Sequence, residues 1–122
     1  MLTELYEALA LHLAPLDAPV YLAECVPPDT LFPYVTAQVA APCTPAEKGR
    51  ITLTLWCLGS AANSDRLHLG DALLSLLPAE GLHMPMKSGF ALLRMDSPAE
   101  CLRSGDALGL RMTWSLRCYP HA

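Results

Sequence analysis

The side chains of this 122-residue sequence best equipped for chemistry are four histidines and five cysteines. A histidine beside a cysteine can make a thiolate nucleophile, and the two at short fixed spacing can hold zinc. Cys25, Cys43, Cys57, Cys101 and Cys118 are odd in number and irregularly spaced, with no CxxC or CxxH among them. That pattern predicts free thiols in a reducing compartment and no metal site. Cys57 and Cys118 fall inside alternating apolar stretches and read as small buried hydrophobes. His12 and His68 lie on helical stretches and His121 in the final dipeptide. His83, in Gly81-Leu82-His83-Met84-Pro85-Met86, has the most distinctive setting. Folding could bring it to Cys101, but the spacing does not require this, and no third residue is marked to orient the pair. The phosphate-cradling patterns GxGxxG, GxxxxGKS and GxxxxGKT are absent. No two carboxylates stand in a recognisable acid–base context. The sequence therefore predicts a protein that is not an enzyme, with no catalytic residue and no cofactor.

Charge is scarce and unevenly placed. Hydrophobic residues make up 52% of the chain and charged residues 16%, against about a quarter charged in an average soluble domain. Disorder is excluded by that balance, and a surface so lean in charge suits a chain that covers part of itself with another copy. The net charge is −4. Residues 1–47 carry six acids (Glu4, Glu7, Asp17, Glu24, Asp29, Glu47) and no Lys or Arg, while residues 48–122 carry six acids and all eight bases, so the two parts are −6 and +2. A general nucleic-acid binder needs a basic face, and this balance argues against one. Either the acidic part packs on the basic part of its own chain, or the two meet head to tail between subunits. In the second case Glu4 and Glu7 would approach Lys48, Arg50 or Lys87 of the next copy. No apolar run reaches the ~20 residues that span a bilayer. The opening Met1-Leu2-Thr3-Glu4 lacks the basic region of a signal peptide, which predicts a chain that stays in the cytoplasm.

The elements that must position these groups follow from periodicity. Leu2, Leu5, Tyr6, Leu9 and Leu13 recur at three- and four-residue spacing, predicting a helix over 2–13 with Leu11 on its wet side. Residues 20–26 and 34–40 read as strands, each set off by prolines. Residues 50–58 give the cleanest alternation, Ile51, Leu53, Leu55 and Cys57 on one face and Thr52, Thr54 and Trp56 on the other. A helix capped at Ser64-Asp65 runs to Leu77, with Leu69, Leu73, Leu76 and Leu77 inward. Residues 79–89 read as a long loop, 90–96 as a strand, and 97–105 as a turn-rich connection. In the last strand, from Ala107 to Tyr119, Met112, Trp114 and Leu116 face the core and Arg111, Thr113 and Arg117 face away. The expectation is a single α+β domain over 1–122, a mostly antiparallel sheet of about four to five strands with two helices packed on one face. Loops 41–49 and 78–89 are the expected places for contacts with other chains.

Four pieces in this order carry a family resemblance: the amphipathic helix, "LFPYVTAQV", "GRITLTLWCLGSAANSDRLHLGDALLSLLP" and the closing "ALGLRMTWSLRCYP". The sequence resembles the small tail-terminator and tail-completion (minor tail) proteins of long-tailed, non-contractile bacteriophages and related prophages. The resemblance spans most of the chain as a pattern of element types and lengths with few fixed residues. It implies an α+β subunit of a hexameric ring that caps the tail tube, stops its polymerisation and presents a surface to the head-completion (neck) proteins. It further implies assembly in the host cytoplasm, residence in the virion, and DNA passing through the ring without sequence-specific contact. The polar residues Thr52, Thr54, Arg111, Thr113 and Arg117 would then line the channel, or else form a solvated sheet face. No family site residue transfers, because the family has no catalytic motif. A head–tail connector, a tail-tube protein, or an unrelated small enzyme or ligand-binding domain are the competing readings.

Overall fold

Fourteen residues, Ala107–Pro120, organise the rest, because their alternation from Leu110 to Cys118 gives one buried apolar face and one half-exposed face that is mostly polar. In the computed structural model, which describes residues 2–42, 44 and 47–120, the elements in chain order are α1 (Leu2–Leu13), β1 (Val20–Leu22), a 3-10 turn (Ala23–Cys25), β2 (Tyr34–Ala40), β3 (Gly49–Cys57), α2 (Ala62–Leu76), β4 (Leu82–Pro85), β5 (Gly89–Met95), β6 (Glu100–Ser104) and β7 (Ala107–Pro120). One sheet runs in the order β1-β2-β3-β7-β5-β4, with β6 also paired to β7.

The expected sheet of four to five mostly antiparallel strands is corrected to a mixed sheet of seven, within the same α+β class. Two short strands account for the difference. β4 lies where a loop was expected, and its four residues, ending in Pro85, are too few to show a period. β6, Glu100-Cys101-Leu102-Arg103-Ser104, is exposed along most of its length and so lacks the apolar alternation by which strands are read. The sheet is mixed because β1 pairs parallel to β2, Val20 opposite Val35 through Leu22 opposite Ala37. The strand expected over 20–26 ends at Leu22, where the chain turns into the 3-10 segment.

β5 and β6 occupy one lane beside β7. Met95 pairs with Trp114 and Glu100 with Arg111, so residues 96–99 stand opposite only residues 112 and 113. This interruption contains Pro98, which has no N–H for the ladder. The β6–β7 turn is tight, and Gly105 takes a positive φ of 58° there, a conformation that glycine adopts without strain.

Both helices bury their leucines in one cluster against one face of the sheet. Leu5, Leu9 and Leu13 of α1 and Leu73 and Leu77 at the α2 end meet Ile51, Leu53, Leu55, Met112, Trp114 and Leu116. Full burial of each such aliphatic side chain stabilises by about 1.5–3 kcal/mol. Leu2 and Tyr6, expected inward, are 54% and 38% exposed: the stripe that packs is the narrower Leu5-Leu9-Leu13 row. α2 begins at Ala62 without a side-chain cap, two residues before the expected Ser64-Asp65 cap. It lies so close to the sheet that a Cβ on Gly70 would meet Leu110 Cδ2 at 2.8 Å.

Candidate functional site

The residues first considered for chemistry do not converge. His83 is on β4, opposite Leu92, which is itself opposite Arg117; Cys101 on β6 is opposite Leu110. The two rows are separated by the seven steps from Leu110 to Arg117 along β7, roughly 23 Å at about 3.3 Å per residue. They also face opposite sides of the sheet, since Leu110 is a core residue and Arg117 alternates away from it. The His83 ring instead stacks on Phe90 at 4.7 Å, and Phe90 on Tyr119 at 5.2 Å. His68 is exposed on α2 and His12 half-buried on α1, while His121 lies outside the described residues. Cys57 and Cys118 are buried as expected, and burial pushes both thiols up from their ordinary value. Cys25 and Cys101 are exposed free thiols; Cys43 lies outside the described residues. Among the described residues no three His, Cys, Asp or Glu side chains are grouped as metal ligands.

The expected contact residues are spread around the rim and over one face. Glu4 and Glu7 sit on α1, Lys48 just before β3, Arg50 inside β3, and Lys87 in the turn between β4 and β5. Of these, Glu4 has a partner in its own chain. Its carboxylate accepts hydrogen bonds from the Ser88 hydroxyl and, at 3.2 Å, from the Ser88 backbone N–H. The Ser88 hydroxyl chiefly, with that N–H and the charge of Lys87, lowers the Glu4 pKa below its ordinary value against the opposing effect of partial burial. The first turn of α1 is thereby clasped to the β4–β5 turn, 84 residues away. A carboxyl lowered on folding adds stability above its ordinary titration range, lost as pH falls through the lowered value. The Glu4→Gln variant is therefore expected to be less stable than wild type at neutral pH and to converge with it in acid. Urea midpoints of the two proteins across that pH range measure it.

The sheet face turned away from the helices forms the broadest continuous surface. Register places its side chains in rows: Thr36, Thr54 and Arg111; Gln38, Thr52 and Thr113; Arg50, Ser115 and Arg94; Arg117 and Leu92. Thr52 and Thr113 hydroxyls lie 3.4 Å apart. Arg111 pairs with Glu100 at 3.0 Å, a half-exposed ion pair worth at most about 1 kcal/mol. A polar cleft of about 480 Å³ opens among Gln38, Arg50, Asp96, Glu100 and Arg111. This face therefore carries four of the eight bases, with Glu100 and Asp96 as the acids beside them. Sequence alternation had already placed Thr52, Thr54, Arg111, Thr113 and Arg117 on an outward face. It could not show that Arg94 joins them or that Arg50 stands across Ser115 from it, because that needs the pairing of β3 and β5 with β7.

The helical side has the opposite sign. Glu4, Glu7, Asp17, Asp65 and Asp71 project from α1, α2 and the segment after α1; of the bases near them, Lys87 borders the same cleft as Glu4 and Glu7, and Arg66 is turned inward. Arg66 Nη1 donates to the Gly109 carbonyl at 3.2 Å and Nη2 to Asn63 Oδ1. Between α1 and the β1 edge runs an apolar groove of about 450 Å³, bordered by Tyr6, Leu13, Val20, Leu22 and Val39. None of these surfaces combines a nucleophile, a base and an orienting group.

The fold is similar to that of a chain in the virion of a native gene transfer agent (GTA) particle. The TM-score is 0.66 at 19% identity, with 95% of this chain and 92% of that chain covered. At that identity the likeness is one of fold, and it extends over nearly the whole of both chains. No protein-family model and no curated protein matches this sequence.

Proposed function

We propose that this chain is a structural protein of a phage-like virion, of the tail-terminator type. Its copies form a hexameric ring that caps the tail tube, stops its polymerisation and joins it to the neck proteins. The observation that carries the reading is the fold shared end to end with a chain of a GTA virion, in a sequence whose order of elements independently resembles tail terminators. In this reading Glu4, Glu7, Lys48, Arg50 and Lys87 lie where neighbouring copies meet. The partners are the tube protein on one side of the ring and the head-completion protein on the other. DNA crosses the ring without base-specific contact, and the chain performs no catalysis.

Disrupting the gene in its host and imaging the particles by electron microscopy tests this. The expected result is tailless heads beside tubes of uncontrolled length, both restored by supplying the protein in trans. A tube subunit would instead leave no tubes at all, and a neck connector would leave tubes of normal length. Particles of normal form and number after disruption would overturn the virion role itself.

A further inference from the structure

The chain sorts its charge by layer, and not only by position along the sequence. The outer sheet face presents Arg50, Arg94, Arg111 and Arg117, and the helical side presents Glu7, Asp17, Asp65 and Asp71, with Lys87 at its rim beside Glu7. Each side also exposes large apolar groups. Leu92 is 41% exposed on the sheet face, in the row next to the stacked Phe90 and Tyr119. On the helical side Leu11 and Leu67 are 77% and 50% exposed. Arginine and aromatic groups on one side and leucine with carboxylates on the other are complementary in sign and in apolar character.

From this we infer that the outer sheet face docks the helical layer of a second copy of the same chain, back to front. The inference rests on the reading that the protein works as a repeating ring subunit, and it assigns the two surfaces that meet. Size supports that occupant. Six lanes about 4.8 Å apart, with strands of seven to nine residues in β2, β3 and β5, make a face of roughly 650–850 Å² at about 3.3 Å per residue. One side of a standard stable interface covers about 800 Å². Because the two surfaces differ, the contact is heterologous, the kind that builds a ring when the rotation between neighbouring copies closes. A duplex lying on this face is disfavoured by the chemistry: Glu100 already neutralises Arg111, Asp96 shares the cleft of Arg50, and the chain as a whole is −4.

The test uses two charge-reversed variants of the whole chain, Arg94→Glu with Arg117→Glu on the sheet face, and Glu7→Arg with Asp71→Arg on the helical layer. Sedimentation velocity at low ionic strength compares each with wild type, and near-UV circular dichroism checks that each is folded. Wild type is expected to self-associate, and each variant alone to associate about tenfold or more weakly. An equimolar mixture of the two is expected to recover association, because each altered surface then meets its opposite sign on the other variant. Raising the salt should weaken the wild type and the mixture alike. Milder Arg94→Gln with Arg117→Gln changes, which leave no new charge on the sheet, should fall between wild type and the reversed variant. A monomeric wild type, variants that associate as wild type does, or a mixture that fails to recover would each overturn the inference. Mass spectrometry of purified particles reads the virion role separately. A chain present in particles whose copies join elsewhere sinks this contact and leaves that role standing; association by these surfaces with no chain in particles does the reverse.

Discussion

Replacing Trp114 by alanine is expected to destabilise the protein by about 3–5 kcal/mol, the cost of a large-to-small change in a closed core. Trp114 is fully buried at the centre of β7, flanked in register by Ile51 on β3 and Met95 on β5. Strands flank it on both sides and it belongs to the core cluster that the leucines of both helices complete, so little can collapse into the space left behind. Its indole Nε1 is buried without an acceptor among the described residues, and an unpaired buried donor itself costs about 1–3 kcal/mol. That sets the order of a short series. Trp114→Phe removes the unpaired N–H along with some volume, two effects of opposite sign, and is expected to cost far less than Trp114→Ala. Urea denaturation of the three proteins measures the series. A loss under about 1 kcal/mol for Trp114→Ala would mean the site can refill, contrary to the packing described here.

The second large effect is expected where there is no side chain at all. Gly89 opens β5 directly opposite Pro120, and a Cβ there would lie 2.0 Å from the Tyr119 carbonyl oxygen and 2.8 Å from Pro120 Cα. Those atoms are backbone, so relief requires the end of β7 to move away from β5. Gly89→Ala is therefore expected to cost about 1–3 kcal/mol, in the range of overpacked sites. The damage reaches α1 as well. The Gly89 carbonyl accepts the Met86 N–H that closes the β4–β5 turn, and Ser88 in that turn holds Glu4. Gly89→Ala should consequently reduce the added stability that Glu4 contributes at neutral pH. Its stability–pH curve should then come to resemble that of Glu4→Gln on the acid side. A full acid-side slope retained in Gly89→Ala would show that the clasp survives a shift of β5.

The long elements were legible from sequence because their signals are local and repeated. Four inward positions in 50–58 and six in 107–119 leave little choice of face, and Leu53, Leu55, Met112 and Trp114 are all buried where alternation puts them. The leucine spacing of α1 marks its limits to the residue, and the two strand cysteines follow their neighbours inward. What periodicity cannot carry is pairing across distance. β4 and β6 are too short, and β6 too exposed, to announce themselves. They are strands because β5 and β7 offer them unpaired backbone. The parallel direction of β1 comes from the return path through residues 23–33, which no local pattern encodes. The same holds for the surfaces proposed to matter. The sequence by itself determined that acids crowd the first 47 residues and bases the rest. Only the tertiary structure decided that Arg50, Arg94, Arg111 and Arg117 share one sheet face while Asp65 and Asp71 join Glu7 on the other side. The reason is physical: one strand's alternation sorts its own side chains, but lane order and register, set by burying a common core, decide which strands' polar faces become neighbours.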